Sequence, residues 1–201
     1  MKVGTKSVLY GVHAFWWHPV TVLRAWLDLY GNPDWKMCVC IFVHDLGYWG
    51  CESMDGKDGD EHPERGARIA NSLLDHNFHN GVGFIEGDDK WDTEAKKIEW
   101  KYYYMCRYHS RSYAKRYGKQ PSDLCWADKL SILYDPWWFY LLRAWLSGEI
   151  WEYYGDAVAL GVEKGIRPNA SFREWFAWAR HRGVVAARSR DPSTAYELVT
   201  T

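Results

Sequence analysis

No apolar run in this sequence approaches the roughly 20 residues that cross a bilayer, and residues 1–6 lack the apolar core of a secretory signal. We therefore expect a cytoplasmic protein without a membrane partner. Charge of one sign is also lacking: the formal net charge is -1, which gives no general attraction to nucleic acid or acidic lipid. Cysteine is sparse. The five residues, at 38, 40, 51, 106 and 125, are odd in number and form no CxxC pair. That excludes a disulfide framework and reads as reduced cysteine packed in an interior. Strand-like alternation and internal repeats are missing as well, so the expected class is all-α.

What is present is aromatic. Fourteen tryptophans and fourteen tyrosines fall largely in helix-compatible segments such as Trp137-Trp138-Phe139-Tyr140. Large rings with polar edges suit a helical core, and one or two could stack on a base or sugar instead.

Apolar residues recur at helical spacing over 19–30, where His18 stands before Pro19, a residue favoured in the first turn. A second helix is expected from Asp34, a plausible N-cap, through the apolar run 37–43 to His44-Asp45. Residues 47–61 read as a long acidic, glycine-rich loop, and His62-Pro63 opens a third helix. A second loop is expected over 77–89, a helix over 91–109 and a basic stretch over 111–119. Further helices follow from 121, 137–148, 150–164 and 171–188, with a frayed tail over 191–201. One helical domain, 1–190, accounts for the length.

The chain is organised around the doublet His44-Asp45. It closes a run too apolar on all sides for a surface helix, so the pair should be buried. A buried carboxylate needs a cation or a dense set of hydrogen bonds. His18, His62, His109 and Asp128 also lie at or near ends of expected helices, which in a bundle can converge on one place. Imidazole with carboxylate suits divalent Mn, Fe, Co, Ni or Zn, with Mg a further candidate. Plainer readings stand beside these. His13 could replace His18, His62 could be a surface histidine, and His109 could contact phosphate or donate a proton. Asp128 could pair with Lys129 or an arginine. His76, His79 and His181 read as surface residues.

The early histidine, the His-Asp doublet after an apolar helix, and Asp128 within Ala127-Asp128-Lys129-Leu130 resemble the HD-domain superfamily of metal-dependent phosphohydrolases over about residues 15–133. His62-Pro63-Glu64-Arg65-Gly66 is similar to the His-Pro-x-x-Gly segment of its two-metal members. The resemblance implies an HD-like helical bundle with additional C-terminal helices over about 136–190. It implies His18, His44, Asp45 and Asp128 as ligands of a first ion, with Asp45 bridging to a second ion held by His62 and His109. Tyr48, where a lysine often follows, and Ser110, where a second histidine follows, disfavour cleavage of a cyclic dinucleotide.

The expected activity is hydrolysis of a small phosphate ester, most simply a nucleotide, by water activated at the metal. Lys129, Arg107 and Arg111 are candidates to hold the phosphate, and His62 or His109, if not a ligand, could protonate the leaving oxygen. Glu52, with Asp55 and Glu61, could orient water. A non-catalytic ligand-binding or sensor module is the alternative reading, and a homo-oligomer is left open.

Overall fold

The structure, a computed structural model, describes residues 1–74, 94–161 and 170–190. The expected loop at 77–89, the tail at 191–201, the end of the 150–164 helix, His76 and His79 lie outside the described residues. Among those described, every regular element is helical, as the sequence predicts. No described helix is long and apolar enough to cross a membrane.

In chain order the helices are α1 Val3–Tyr10, α2 His18–Tyr30, α3 Trp35–Val43, α4 Gly56–Gly59, α5 His62–Leu74 and α6 Glu94–Arg107. They continue with α7 Arg111–Arg116, α8 Asp123–Ser131, α9 Trp137–Ser147, α10 Glu149–Gly161 and α11 Phe172–Ser189. Helix α1 has no counterpart in the sequence reading. It contributes Val8 to a small core with Tyr48, Cys51 and Met54, and the Gly4 N–H donates to Cys51 O at 3.0 Å. The expected loop after the doublet also contains structure, a short 3-10 helix over His44–Tyr48 and the single turn α4.

Local chemistry sets several boundaries. Pro19 sits in the first turn of α2, where its missing N–H costs nothing. Asp34 caps α3 by accepting the Met37 N–H at 2.8 Å. Helix α3 then ends at Val43, so the doublet lies in the tighter 3-10 segment rather than in the helix itself. Burial of the preceding run is one-sided. Met37, Cys40, Ile41 and Val43 are buried, while Phe42 faces solvent.

One core joins α2, α3, α5, α6 and α8 through Val22, Ala25, Ile41, Ala67, Ala70, Cys106, Leu124 and Leu130. The described cysteines are all free, and four of the five are buried, as expected for packing residues. Two glycines let α5 cross the doublet. A Cβ on Gly47 would stand 2.0 Å from His62 O, and one on Gly66 would stand 2.0 Å from His44 O. That backbone-to-backbone approach brings the start of α5 against His44 and Asp45. Ser122 performs a similar joining for α8: its N–H donates to Tyr108 O and its hydroxyl to Met105 O, tying Asp128's helix to the end of α6 beside His109.

The aromatic expectation holds only in part. Trp26, Trp126 and Trp175 are buried, but Trp16, Trp35, Trp49, Trp100, Trp137, Trp138, Trp145 and Trp151 are exposed. The ring-rich composition therefore supplies surface as well as core.

Candidate metal centre

Six side chains from five parts of the chain meet at the end of this core: His18 from α2, His44 and Asp45 from the 3-10 segment, His62 from α5, His109 after α6, and Asp128 from α8. They form two sets with Asp45 in both. His18, His44, Asp45 and Asp128 make one, and Asp45, His62 and His109 make the other, with the donor atoms of each set within 4.8 Å of one another.

Asp45 lies between them. Its Oδ2 is 3.1 Å from His18 Nε2 and 3.2 Å from His44 Nε2, while its Oδ1 is 3.3 Å from His109 Nε2 and 3.8 Å from His62 Nε2. Asp128 Oδ1 approaches the same His18 Nε2 at 3.1 Å.

Ring tautomers follow from the backbone. Nδ1 of His44 lies 2.8 Å from Ile41 O, that of His62 2.6 Å from Gly59 O and that of His109 2.5 Å from Cys106 O. A carbonyl oxygen only accepts, so each Nδ1 carries the proton. In a neutral ring held this way Nε2 keeps a lone pair aimed inward, the orientation in which a histidine can bind a metal.

These inward atoms do not satisfy one another. His18 Nε2, His44 Nε2 and Asp45 Oδ2 are buried without a hydrogen-bond partner despite their short separations. Atoms that converge without donor-to-acceptor alignment suit a shared cation better than a hydrogen-bonded network. The His/Asp cluster could hold a metal ion, and nitrogen with carboxylate oxygen is a suitable donor set.

Electrostatics point the same way. Burial works against ionising Asp45, but the imidazoles of His44, His13, His109 and His18 outweigh it and hold its carboxyl well below the usual range. Burial and the neighbouring His109 push His62 well below its ordinary value, so it stays neutral. For His18, burial opposes the charge, yet Asp128 and Asp45 raise it to about 9. Without an ion, protonated His18 is the internal counter-charge. Its stabilising effect is full below about 6.5 and is lost as pH rises through about 9.

Outside the two sets, Lys129 Nζ donates to Asp128 Oδ2 at 2.7 Å, so the pairing considered for Asp128 exists beside its contact with His18. The Lys129 side chain is 37% exposed, so one side remains open to solvent. Burial opposes the Lys129 charge but Asp128 raises its proton affinity; Arg111 lies close enough to offset part of that rise, and the buried Arg111 Nη1 has no hydrogen-bond partner. Arg107 is instead committed: its Nε lies 2.8 Å from Glu64 Oε2, and its guanidinium is surrounded by the rings of Tyr103, Tyr108 and Tyr117. Glu52 belongs to neither set. Its side chain is 77% exposed and pairs with Lys2 at 3.4 Å, too far out to orient water at the cluster.

Three residues outside the expected set join the cluster's surroundings, of which Glu149 alone carried no signal in the sequence. Tyr48 stacks on His62 with ring centres 3.7 Å apart and fixes that ring's plane. His13 stands beside the cluster, with Nε2 3.9 Å from Asp45 Oδ2 and Nδ1 3.1 Å from Glu149 Oε1. Glu149 is fully buried and also accepts from Ser7 Oγ at 2.6 Å, Val12 N at 2.8 Å and Ser147 Oγ at 2.5 Å. Between the two early histidines, His18 therefore lies within the cluster, and His13 is anchored at its rim. A glutamate more than 130 residues away could not have been paired with His13 from spacing alone.

An open cleft of about 430 Å³ is lined by Trp137, Arg173, Phe176, Arg180 and His181, none of them a cluster residue. No protein-family model, curated protein or solved structure matches the chain.

Proposed function

We propose that this protein is a metal-dependent phosphohydrolase acting on a nucleotide or related small phosphate ester. The observation that carries the reading is the shared Asp45, whose two oxygens face separate groups of inward-pointing imidazole nitrogens. His18, His44, Asp45 and Asp128 would hold one divalent ion, and Asp45, His62 and His109 a second, drawn from Mn, Fe, Co, Ni or Zn, or Mg. When bound, such ions activate water and neutralise charge on phosphoryl oxygens.

The remaining roles belong to the chain itself. Lys129, open on one side, and Arg111 supply positive charge next to Asp128 and orient the phosphate. His13, held through Nδ1 by Glu149 and Ser7, presents Nε2 at the rim, where it can pass a proton to the leaving oxygen. Buried carbonyls behind His44, His62 and His109 prevent those rings from turning. Arg107 braces Glu64 on α5 and has no direct part in this scheme.

Elemental analysis of the purified protein and an Asp45→Ala variant, followed by a phosphate-release screen of nucleotides, tests the proposal. One or two transition ions per chain, lost in the variant, with release dependent on them, is the expected result. Metal without release from any nucleotide or small ester would favour a ligand-binding module. No metal in either protein after incubation with Mn or Co would overturn the reading.

A further inference from the structure

Helix α9, Trp137–Ser147, is turned inside out relative to an ordinary surface helix. Its one charged residue, Arg143, is 2% exposed, and Ala144 and Ser147 are buried with it. Trp138, Leu142, Trp145 and Leu146 lie on the opposite side, between 46% and 58% exposed. Their spacing of four, three and one residues keeps them on a single face. At the N-terminal end Trp16 and Trp138 both pack on Phe139, so exposed Trp16 and its neighbour Phe15 extend the patch.

The inward side explains the inversion. Arg143 donates to Gly11 O at 2.8 Å and Val12 O at 2.9 Å and pairs with Asp135, which also accepts from Trp17 Nε1 at 3.2 Å. Helix α9 therefore uses its polar chemistry to clamp the turn that leads to His13 and His18. Among the described residues the outward side has no comparable partner. Six exposed apolar side chains present on the order of 700 Å² of surface, beyond the largest patch of a typical monomer and close to the ~800 Å² that each partner contributes to a stable interface.

We propose that this face is a homodimer interface, with α9 of one chain packed against α9 of a second copy about a two-fold axis. A two-fold contact sets the same patch on both chains. The α9 face carries no exposed charge of its own, so packing its apolar residues together buries no charge of the helix; the adjacent cation, Arg173, lies over Trp137 on the flank. Interfacial helices that lie on lipid carry lysine or arginine around their apolar side. Helix α9 presents no such cation. The inference is independent of the metal centre, although the clamp lies directly behind that interface.

Sedimentation equilibrium of the full chain from about 1 to about 100 μM tests it, because a dimer's mass is set by mass action. The wild type should sediment at twice the 23.6 kDa of one chain. Trp138→Glu/Trp145→Glu, changed at two exposed positions, should sediment as a single chain with an unchanged circular-dichroism spectrum. Leu142→Glu is the second variant, expected to weaken the dimer at least tenfold, and it decides the matter if the double variant does not fold. A wild type that is monomeric throughout the range would overturn the proposal, as would dimers unaffected in the folded variants. A monomer that co-sediments with phosphatidylcholine and phosphatidylserine vesicles would assign the face to lipid and overturn it equally.

Discussion

His62 and His109 meet nitrogen to nitrogen, Nε2 3.1 Å from Nε2, while the Nδ1–H of each ring is committed to a backbone carbonyl. As neutral imidazoles, neither ring can donate to the other without giving up that bond. In that form two buried lone pairs face each other beside Asp45 Oδ1, an arrangement that a cation relieves.

Divalent metal should accordingly stabilise the fold. At free metal about 100 times the dissociation constant the gain is about 2.7 kcal/mol. In a chain of this length that raises the thermal midpoint by on the order of 5–10 °C. Scanning calorimetry with Mn or Zn, and then with excess chelator, measures it; a midpoint indifferent to every divalent ion would reject the metal reading.

Because Asp45 serves both sets, substitutions should separate them. His109→Gln is expected to halve a two-ion stoichiometry and leave His18, His44 and Asp128 occupied, whereas Asp45→Asn should remove both ions. Elemental analysis of the dialysed variants distinguishes the cases. Equal loss in the two variants would mean that one ion, not two, spans the cluster.

Gly47→Ala should damage the fold and the site together. The added methyl would stand 2.0 Å from His62 O, backbone that cannot yield without moving α5. A cost of about 3 kcal/mol in urea unfolding is expected from such overpacking, together with weaker metal binding. An alanine variant of wild-type stability and metal affinity would show that α5 can shift freely.

Asp34 links α3 to α6 and sets an acid limit. Burial would raise its carboxyl, but the Tyr102 hydroxyl at 2.6 Å and the Met37 N–H at 2.8 Å outweigh that and hold it below 3.8. Its stabilisation is therefore present above pH 3.8 and is lost as pH falls through the lower, folded-state value. Asp34→Ala should cost about 1 kcal/mol at neutral pH and flatten the acid side of the stability curve. Chemical denaturation across pH checks both; a variant with an unaltered acid limb would remove Asp34 as its cause.

The site was legible where its residues break a local pattern. His44-Asp45 interrupts an apolar run, His18 and His62 precede prolines, and Asp128 sits among apolar residues, each an anomaly visible without a fold. Only charge and proximity in sequence point to Arg107, Arg111 and Glu52, a weaker criterion. The geometry separates them: Glu64 occupies Arg107, Lys129 neighbours Arg111, and Glu52 points away. The tryptophans mislead for a related reason. Ring size and helical spacing predict burial, but α9 buries Arg143 because the Gly11 and Val12 carbonyls and Asp135 lie beneath it.

By itself the sequence determined that the described chain is helical, that cysteine is not cross-linked and that a buried His-Asp doublet follows an apolar helix, since periodicity and composition act over a few residues. The tertiary structure alone decided which oxygen of Asp45 faces which histidine, that Glu149 anchors His13, and that α9 shows tryptophan to solvent. Those outcomes depend on contacts between residues far apart in the chain. A side chain's preference for burial names no partner, and only the packing of α1, α2 and α5 around the doublet, with α8 beyond His18, supplies one.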